Sequence, residues 1–382
     1  MHKISDKMEK IPVFAPTIGQ DTKKHLSDAI DTGWLGMGSA SMEFEQRISE
    51  FLELNERYVA VTNTGTSALH IALLTAGIGL GDDVITPSFN YVADHQAIKM
   101  TGANVVMCDI QDNNLGIDCK KAEELITDKT KAIIPLHFAG IPCDQENVFK
   151  LGKKHDLRII EDAMHAFGTK INNKKIGSYG DITCFSFDPV KIVTSVDGGC
   201  VIVNTKEELE KLYHLRLLGV DKDTIHRYKN SRAWDYDVVS DGFRYHLNTI
   251  SAVFGISQIK RVNEFISSRQ QVCKRYNHEF SKFEGLRIPK TDFNDISPFI
   301  YSLRVLDDKR QDMINHLKNL QIDVGIHFIP VHQHTHFKTC RQSDMSITNK
   351  VVTEVLTLPL HSLMKNEYVE RVIDGVSSFF RK

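Results

Sequence analysis

One lysine stands where the chain has the marks of a reactive amine. Lys191 follows the apolar run Cys184–Phe187 and precedes the glycine pair Gly198 and Gly199. An amine in a dry site at the end of a strand holds its proton less tightly and can attack a carbonyl carbon. Lys191 is therefore a candidate for an imine with an aldehyde, against the alternative of an ordinary solvated lysine.

Acidic residues end a second apolar run. Ile159 and Ile160 lead into Glu161 and Asp162, with His165 three residues further on. In open α/β sheets, ligands bind at the carboxyl ends of the strands, which is where this pattern puts the acids. Asp162 is thus a candidate for contact with a ligand, and a helix cap or a salt bridge is the alternative.

A third segment predicts a strand, a turn and then a helix. Thr64, Gly65, Thr66 and Ser67 precede the helical pattern Ser67–Ala76. The first N–H groups of a helix have no partner in the helix and bind phosphate well, and the hydroxyl groups add donors. Simple N-capping by the same residue types is the alternative.

Taken together, the three segments predict a pyridoxal-phosphate (PLP) site. The helix start would bind the phosphate, the Asp162 carboxylate would keep the pyridine nitrogen protonated, and Lys191 would hold the aldehyde as an imine. The combination is more specific than any one of its parts, because all three have to meet at one edge of one sheet.

The elements that must position these residues alternate along the first two thirds of the chain. Short β-rich runs that are apolar on both faces, separated by helical periods, indicate a mainly parallel sheet covered on both sides. We predict a large α/β domain over residues 15–248 and a small α+β domain over 249–382, with residues 1–14 packed on the small one. The predicted strands are Tyr58–Thr62, Asp83–Thr86, Ala103–Asp109, Ala132–Phe138, Arg158–Glu161, Ile182–Phe187, Val201–Val203, Phe299–Leu306 and Asp323–Phe328, and a long helical stretch covers Thr249–Phe283.

Composition sets outer limits on function. The chain has 382 residues, a formal net charge of −2 and 41% hydrophobic residues, which predicts no general affinity for nucleic acid or for a membrane. Its seven cysteines are scattered and contain no C-x-x-C pair, which fits a reducing compartment. No apolar stretch is long enough to span a bilayer. We therefore predict a soluble cytoplasmic protein.

The sequence resembles the DegT/StrS family of sugar aminotransferases, which implies the aspartate aminotransferase-like fold (fold type I) and PLP as cofactor. Within the family it is most similar to the branch that makes UDP-4-amino-4-deoxy-L-arabinose. The matching segments keep the family order and span nearly the whole chain: Gly33–Gly38, Thr64–Leu69, Asp83–Phe89, Glu161–Gly168, Phe185–Lys191, Asp197–Gly199, Gly325–Phe328 and Thr357–Leu360.

The resemblance implies a role for each residue that matches a family motif. Lys191, Asp162 and His165 would be catalytic, with Lys191 in the imine and His165 beside the ring near its 3′-oxygen. Tyr91 would stack on the cofactor. The phosphate would be held by residues of the helix start and a strand end, namely Gly65, Thr66, Ser67 and Ser186. Lys191 also separates this chain from the family's sugar dehydratases, which carry His there.

Family active sites are shared in a homodimer, and the resemblance implies the same here. The segment that would reach the partner's phosphate contains Arg244, at a position where relatives have Asn or Lys. His246, Asn248 and Thr249 depart from the usual residues, which leaves the contacts to the acceptor open. Asp188 departs as well, where relatives often have His, Tyr or Asn.

A dense histidine cluster follows, formed by His327, His332, His334 and His336. In a strand the last three would share one face, and three imidazoles can bind zinc. The resemblance instead places His327 and His332 near the sugar-nucleotide pocket, so we predict no metal. Trp34 and Arg232 are further candidates for substrate binding, with a surface salt bridge as the alternative for Arg232.

The predicted function is transfer of an amino group from L-glutamate to a keto-sugar nucleotide in aminosugar biosynthesis, with the 4-keto sugar favoured over the 3-keto sugar. Alternatives within the superfamily are transaminases of non-nucleotide keto-sugars or cyclitols. Alternatives from other classes are a PLP-binding sensor without turnover and an α/β binding protein without cofactor.

Overall fold

The computed structural model describes residues 9–232 and 234–381. The strands are β1 (Tyr58–Thr62), β2 (Asp83–Pro87), β3 (Asn104–Cys108), β4 (Thr130–Ile133), β5 (Arg158–Asp162), β6 (Lys170–Ile171), β7 (Lys174–Lys175), β8 (Ile182–Ser186), β9 (Gly199–Val203), β10 (Leu286–Arg287), β11 (Tyr301–Val305), β12 (Arg341–Gln342) and β13 (Val355–Leu358). The helices are α1 (Gln20–Asp31), α2 (Ser39–Leu52), α3 (Gly65–Thr75), α4 (Ala93–Met100), α5 (Cys119–Glu124), α6 (Gln145–His155), α7 (Lys206–Arg216), α8 (Asp223–Tyr228), α9 (Thr249–Ile259), α10 (Val262–Phe280), α11 (Arg310–Asn319), α12 (Ser346–Glu354) and α13 (Asn366–Phe380).

The large sheet has eight strands in the order β1-β9-β8-β5-β4-β2-β3-β12. Neighbouring strands from β8 to β12 in this order run parallel, and β9 lies antiparallel to both β1 and β8. Strands β2, β8 and β9 are buried along their whole length, because helices cover both faces of the sheet. The predicted α/β fold with a mainly parallel sheet is confirmed.

The small sheet has three antiparallel strands in the order β10-β11-β13. Its core joins apolar residues of α10, α11 and α13 with Ile11, whose backbone N–H donates to the Gln321 carbonyl at 2.9 Å. Residues 1–8 lie outside the described part of the chain. The predicted division after residue 248 stays a prediction, and α9 makes its contacts with α1 and α2 on the side of the large sheet.

Most of the predicted strands differ from the observed ones by one or two residues at an end, and three predicted elements differ by more. The predicted strand Ala132–Phe138 ends at Ile133, because the chain then bends toward a 3₁₀ turn at Phe138–Gly140. The long stretch Thr249–Phe283 breaks between α9 and α10. The predicted strand Asp323–Phe328 is wrong: within it only Gly325 pairs, in an isolated bridge to Thr357.

The contact between α2 and α9 depends on a glycine. A Cβ built on Gly255 would lie 2.4 Å from the Phe44 ring, and Phe44 is fully buried against the tilted ring of Phe187 at 5.1 Å. Since close-packed side chains have no room to move aside, only glycine allows this approach of the two helices.

We expect Gly255→Val to lower the free energy of unfolding by about 1–3 kcal/mol, because the added carbons overpack a site with no free volume. Denaturant unfolding followed by fluorescence measures the change. Gly79→Val is the matched control, since a Cβ at Gly79 meets nothing within 4 Å, and it should stay within about 0.5 kcal/mol of wild type. Equal effects of the two substitutions would contradict the packing argument.

Candidate active site

A cavity of about 360 Å³ lies at the carboxyl edge of the large sheet, where β1, β2, β5 and β8 end. The cavity brings together most of the residues predicted to bind the cofactor. Its lining includes Thr64, Gly65, Thr66, Asn90, Tyr91, Asp94, Asp162, His165, Ser186, Lys191, Phe299, His327 and Phe328. A larger cleft of about 970 Å³ beside the small sheet contains none of the predicted site residues.

Lys191 lies in the connection from β8 to β9. Its Nζ lies 4.1 Å from the centroid of the Phe299 ring. Burial lowers the pKa of Lys191 to about 8, although the charges of Asp162 and Asp188 act in the opposite direction. A substantial fraction of the amine is therefore neutral near physiological pH, as a nucleophile at a carbonyl requires.

Asp162 is the last residue of β5 and is 3% exposed. Its Oδ1 accepts a hydrogen bond from the backbone N–H of Met164 at 3.0 Å, and its Oδ2 accepts from Nδ2 of Asn90 at 2.9 Å. Both bonds fix the direction of the carboxylate toward the cavity, as a partner for a protonated ring nitrogen has to be fixed.

Helix α3 begins at the end of the cavity opposite the small sheet. Thr64 and Ser67 form a capping box, in which the Thr64 hydroxyl accepts from the Ser67 N–H at 2.9 Å and Ser67 Oγ accepts from the Thr64 N–H at 3.1 Å. The N–H groups of Gly65 and Thr66 precede the first bonds of the helix and are available to an anion. Ser186, at the end of β8, lines the same end of the cavity.

Aromatic rings form the wall on the side of the small sheet. The His165 ring stacks on Phe299 with centroids 4.4 Å apart and lies 5.8 Å from Phe328. Burial, followed by the charges of Lys191 and His327, holds the pKa of His165 well below its usual value. Burial also lowers the pKa of His327 to about 4, so both imidazoles are neutral at pH 7.

Several predicted residues lie outside this cavity. Arg232 and Arg244 are exposed, and Trp34 lines a separate cavity of about 310 Å³. His332 bonds Ser88 Oγ at 2.7 Å and Asn349 at 3.0 Å. Ser67 does not line the cavity, because its hydroxyl is used within the cap.

The histidine cluster does not form a strand. His332, His334 and His336 lie in and between two 3₁₀ turns, Val331–Gln333 and Thr335–Phe337. The shared face that a strand would give them is therefore absent. In residues 9–232 and 234–381, no group of three or more His, Cys, Asp or Glu side chains is arranged to hold a metal ion.

The sequence patterns did not reveal the polar pair Asn90 and Asp94 behind Asp162, or the packing of Phe14 on Phe299. Asn90 and Asp94 follow the end of β2 and lie on either side of the start of α4. Phe14 stacks on Phe299 at 5.6 Å, although the two are far apart in sequence. Neither contact could be seen without the fold.

The residues present fit PLP. The cavity offers unpaired helix N–H groups for a phosphate, a directed carboxylate for a ring nitrogen and a lysine of low pKa for an aldehyde, all within a volume suited to a small ligand. On the aspartate aminotransferase-like fold, this arrangement defines a PLP-dependent aminotransferase.

Comparison with known proteins places the chain more narrowly. It matches the DegT/DnrJ/EryC1/StrS aminotransferase family over residues 16–377, and it belongs to that family. It is 30% identical to the GDP-perosamine synthase of Escherichia coli O157:H7 over 374 residues (98% of this chain and 99% of the relative). It is also 30% identical to the UDP-4-amino-4-deoxy-L-arabinose–oxoglutarate aminotransferase of Shewanella sediminis over 388 residues (97% and 98%). The PLP form of Spr1654 from Streptococcus pneumoniae superposes with a TM-score of 0.89 at 27% identity, covering 97% of this chain and 98% of that one.

The protein is thus a PLP-dependent sugar aminotransferase that acts in aminosugar biosynthesis. The predictions of family, fold and cofactor are confirmed. The roles of the individual site residues stay predictions.

The lowered pKa of Lys191 makes PLP uptake depend on pH. Only the neutral amine attacks the aldehyde, so the rate at which PLP-free protein gains visible absorption should rise with pH to a plateau, with a midpoint near pH 8. Stopped-flow absorbance measures this rate.

Asp162→Asn should move the midpoint to lower pH, because the charge of Asp162 raises the pKa of Lys191. Asp181→Asn, whose carboxylate pairs with Arg158 away from the cavity, should leave it unchanged; a wild-type midpoint near that of a free lysine would contradict the assignment.

Proposed function

We propose that the protein transfers the amino group of L-glutamate to a 4-keto sugar carried by a nucleotide, releasing 2-oxoglutarate and the aminosugar nucleotide. The strongest support for this proposal is that Lys191, Asp162 and the start of α3 line one cavity. The substrate class rests on the relatives, whose names include a GDP-sugar synthase and a UDP-sugar aminotransferase. A 3-keto sugar nucleotide is the alternative within this class.

Lys191 is the group that moves protons. When bound, PLP supplies an electron sink for the carbon that loses or gains the amino group. Once its Nζ is free, Lys191 takes the proton from the amino-bearing carbon of glutamate, and it returns a proton to the former keto carbon of the sugar in the second half of the reaction. A pKa of about 8 suits both tasks near neutral pH.

Asp162 and His165 orient the ring from two directions. The Asp162 carboxylate, held by Met164 and Asn90, would accept the N–H of the ring nitrogen. His165 is neutral and packed against Phe299, so it would present a fixed imidazole to the 3′-oxygen. Tyr91, 58% exposed at the mouth of the cavity, would cover the face of the ring.

The start of α3 would hold the phosphate. Its donors would be the N–H groups of Gly65 and Thr66 and the hydroxyls of Thr66 and Ser186, with Ser67 supporting the turn through its cap. Arg244 lies outside the cavity of its own chain, and its exposed guanidinium is available to the phosphate of a second subunit. This assignment requires a homodimer with shared sites.

Exposed apolar side chains support that homodimer. Soluble proteins rarely leave several large apolar groups in water without a partner, and Trp234, 93% exposed, is an extreme case. Leu218, Ile225, Tyr236, Val238 and Val239 are exposed in the same segment, and Val196 is exposed next to Asp197, which lines the cavity.

The acceptor side is assigned to one residue of the cavity and to three residues outside it. His327 lines the cavity, and its Nδ1 bonds Thr357 Oγ1 at 2.9 Å, which fixes the ring. His332, Trp34 and Arg232 are assigned to the sugar nucleotide, and the guanidinium of Arg232 would pair with the negative charge of the nucleotide. All three lie beyond the cavity of a single chain.

We also propose that the enzyme works in the cytoplasm. Its seven cysteines are all free thiols, five of them buried, as is usual in a reducing compartment. No helix in the described part of the chain has the length and apolar character needed to cross a membrane.

The function is tested with purified protein, PLP, L-glutamate and a panel of UDP-, GDP- and dTDP-linked 4-keto and 3-keto sugars. We expect one nucleotide sugar to be aminated with equal release of 2-oxoglutarate. Lys191→Ala should lose both the visible absorption of bound PLP and all turnover, while Lys211→Ala, whose side chain lies outside the cavity, should keep both. Amination only of free keto-sugars or cyclitols, or a coloured protein without turnover, would replace the proposal by the corresponding alternative.

Shared sites predict complementation between two inactive variants. Lys191→Ala and Arg244→Ala damage different parts of a site, so a mixed dimer retains one intact site out of two. When the two variants are co-expressed and pair at random, about half of the dimers are mixed, and half of the sites in those dimers are intact. Roughly a quarter of wild-type activity should therefore return, measured as release of 2-oxoglutarate. Each variant expressed alone is the control, and a mixture no more active than the variants alone would contradict shared sites.

A further inference from the structure

Directly behind Asp162 lies a second buried carboxyl group. Asp94, in the first turn of α4, is 1% exposed and also lines the cavity. The amide of Asn90 joins the two acids: its Nδ2 donates to Asp94 Oδ2 at 2.8 Å and to Asp162 Oδ2 at 2.9 Å. The orientation of this amide is set from the other side, because Asn90 Oδ1 accepts from the backbone N–H of Tyr91 at 2.6 Å.

The surroundings of Asp94 contain no charge that would compensate a carboxylate. In the described ranges no Lys, Arg or His nitrogen lies within 4 Å of it. Thr86 on β2 donates one hydrogen bond to its Oδ2 at 3.3 Å. Its Oδ1 is buried without a hydrogen-bond partner. An ionised group would leave that oxygen as an unsatisfied buried charge, which is costly, whereas a hydroxyl there can donate.

The titratable groups that face Asp94 favour the same protonation state. Cys184 on β8 has its pKa raised well above the usual value by burial, and the neighbouring His95 has its pKa lowered to about 3 by burial, so both are neutral. His165 is neutral as well, and the carboxylates that act on the pKa of Lys191 are those of Asp162 and Asp188. Burial, the charge of Asp162 and the contact with that carboxylate raise the pKa of Asp94 well above its usual value.

We propose that Asp94 is a positioning residue of this site: it remains protonated, donates its proton in a hydrogen bond to Asp162, and together with Asn90 holds the Asp162 carboxylate toward the ring nitrogen of PLP. Two carboxylates that share one buried amide repel each other with little water between them, which favours a proton on one of them. With Asp94 holding the proton, the Asp162 carboxylate receives donors from Met164, Asn90 and Asp94. The inference rests on the role proposed for Asp162.

The shared proton is tested without any catalysis. Unfolded Asp94 loses its proton near pH 4, whereas folded Asp94 keeps it, so the favourable contribution of this proton is lost as pH rises from 4 toward the raised pKa. Asparagine is neutral, has the same shape and keeps a donor. Asp94→Asn in the PLP-free full-length protein should therefore melt about 2–4 °C above wild type at pH 8, and the difference should shrink toward pH 5.

Asp109→Asn is the matched control. Asp109 is as buried as Asp94 but bonds Lys121 Nζ at 2.7 Å, and its pKa is lowered. Its replacement should lower the melting temperature at pH 8, with the loss shrinking in acid, which is the opposite sign. If Asp94→Asn behaves like Asp109→Asn, Asp94 is ionised and the proposal fails.

The link to Asp162 is tested on the PLP-saturated protein by the pH midpoint of its visible absorption. Asp94→Asn should keep the wild-type midpoint, and Asp94→Val, which has no donor, should shift it. A Val variant with the wild-type midpoint, or an Asn variant as shifted as Val, overturns the positioning role. Failure of the proposed function is distinguishable, because it would show as wild-type protein that binds PLP but aminates no keto-sugar nucleotide, while the pH dependence of melting and the absorption midpoints would still report the shared proton.

Discussion

The site depends on the pKa of one amine, that of Lys191, which burial and nearby carboxylates shift in opposite directions. Lys191 is largely removed from water, which disfavours its ammonium form, and the charges of Asp162 and Asp188 restore part of that affinity. None of the carboxylates in the described structure lies within 4 Å of Nζ, where a direct ion pair would lock the ammonium. The Phe299 ring occupies the space below the amine instead. The amine thus stays able to exist in both forms near neutral pH.

The sheet produces this balance through the direction of its strands. Parallel β5 and β8 deliver Asp162 and Ser186 to one edge, and the reversed β9 brings the chain back past the start of α3. Gly199 allows that return, because a Cβ there would lie 2.6 Å from the Thr64 carbonyl oxygen and 2.8 Å from Gly65 Cα. The loop that carries Lys191 is therefore held between two fixed strand ends.

The sequence predicted these strands well because both faces of each are apolar, and Tyr58–Thr62 has the predicted bounds. Periodicity failed where tertiary contacts decide the backbone, as at Asp323–Phe328, where Gly325 alone forms a bridge and only His327 and Phe328 line the cavity. Local motifs located Asp162 and Lys191 but not Asp94, because a buried carboxyl is recognisable only from what surrounds it. The hydroxyl of Ser67 shows the converse: its residue type suits a phosphate, yet the capping box already uses it.

The two ends of the site differ in what holds them in place. On the cofactor side, the groups lie at strand ends and a helix start, so the main chain of one subunit determines their positions. On the proposed acceptor side, Trp34, Arg232 and His332 lie outside the cavity of that subunit, and the exposed Arg232 would reach a site only in the proposed dimer. Sequence patterns predict backbone geometry, but they do not predict how the surfaces of two subunits fit together. For this reason the sequence indicates the cofactor and the reaction more sharply than it indicates the sugar.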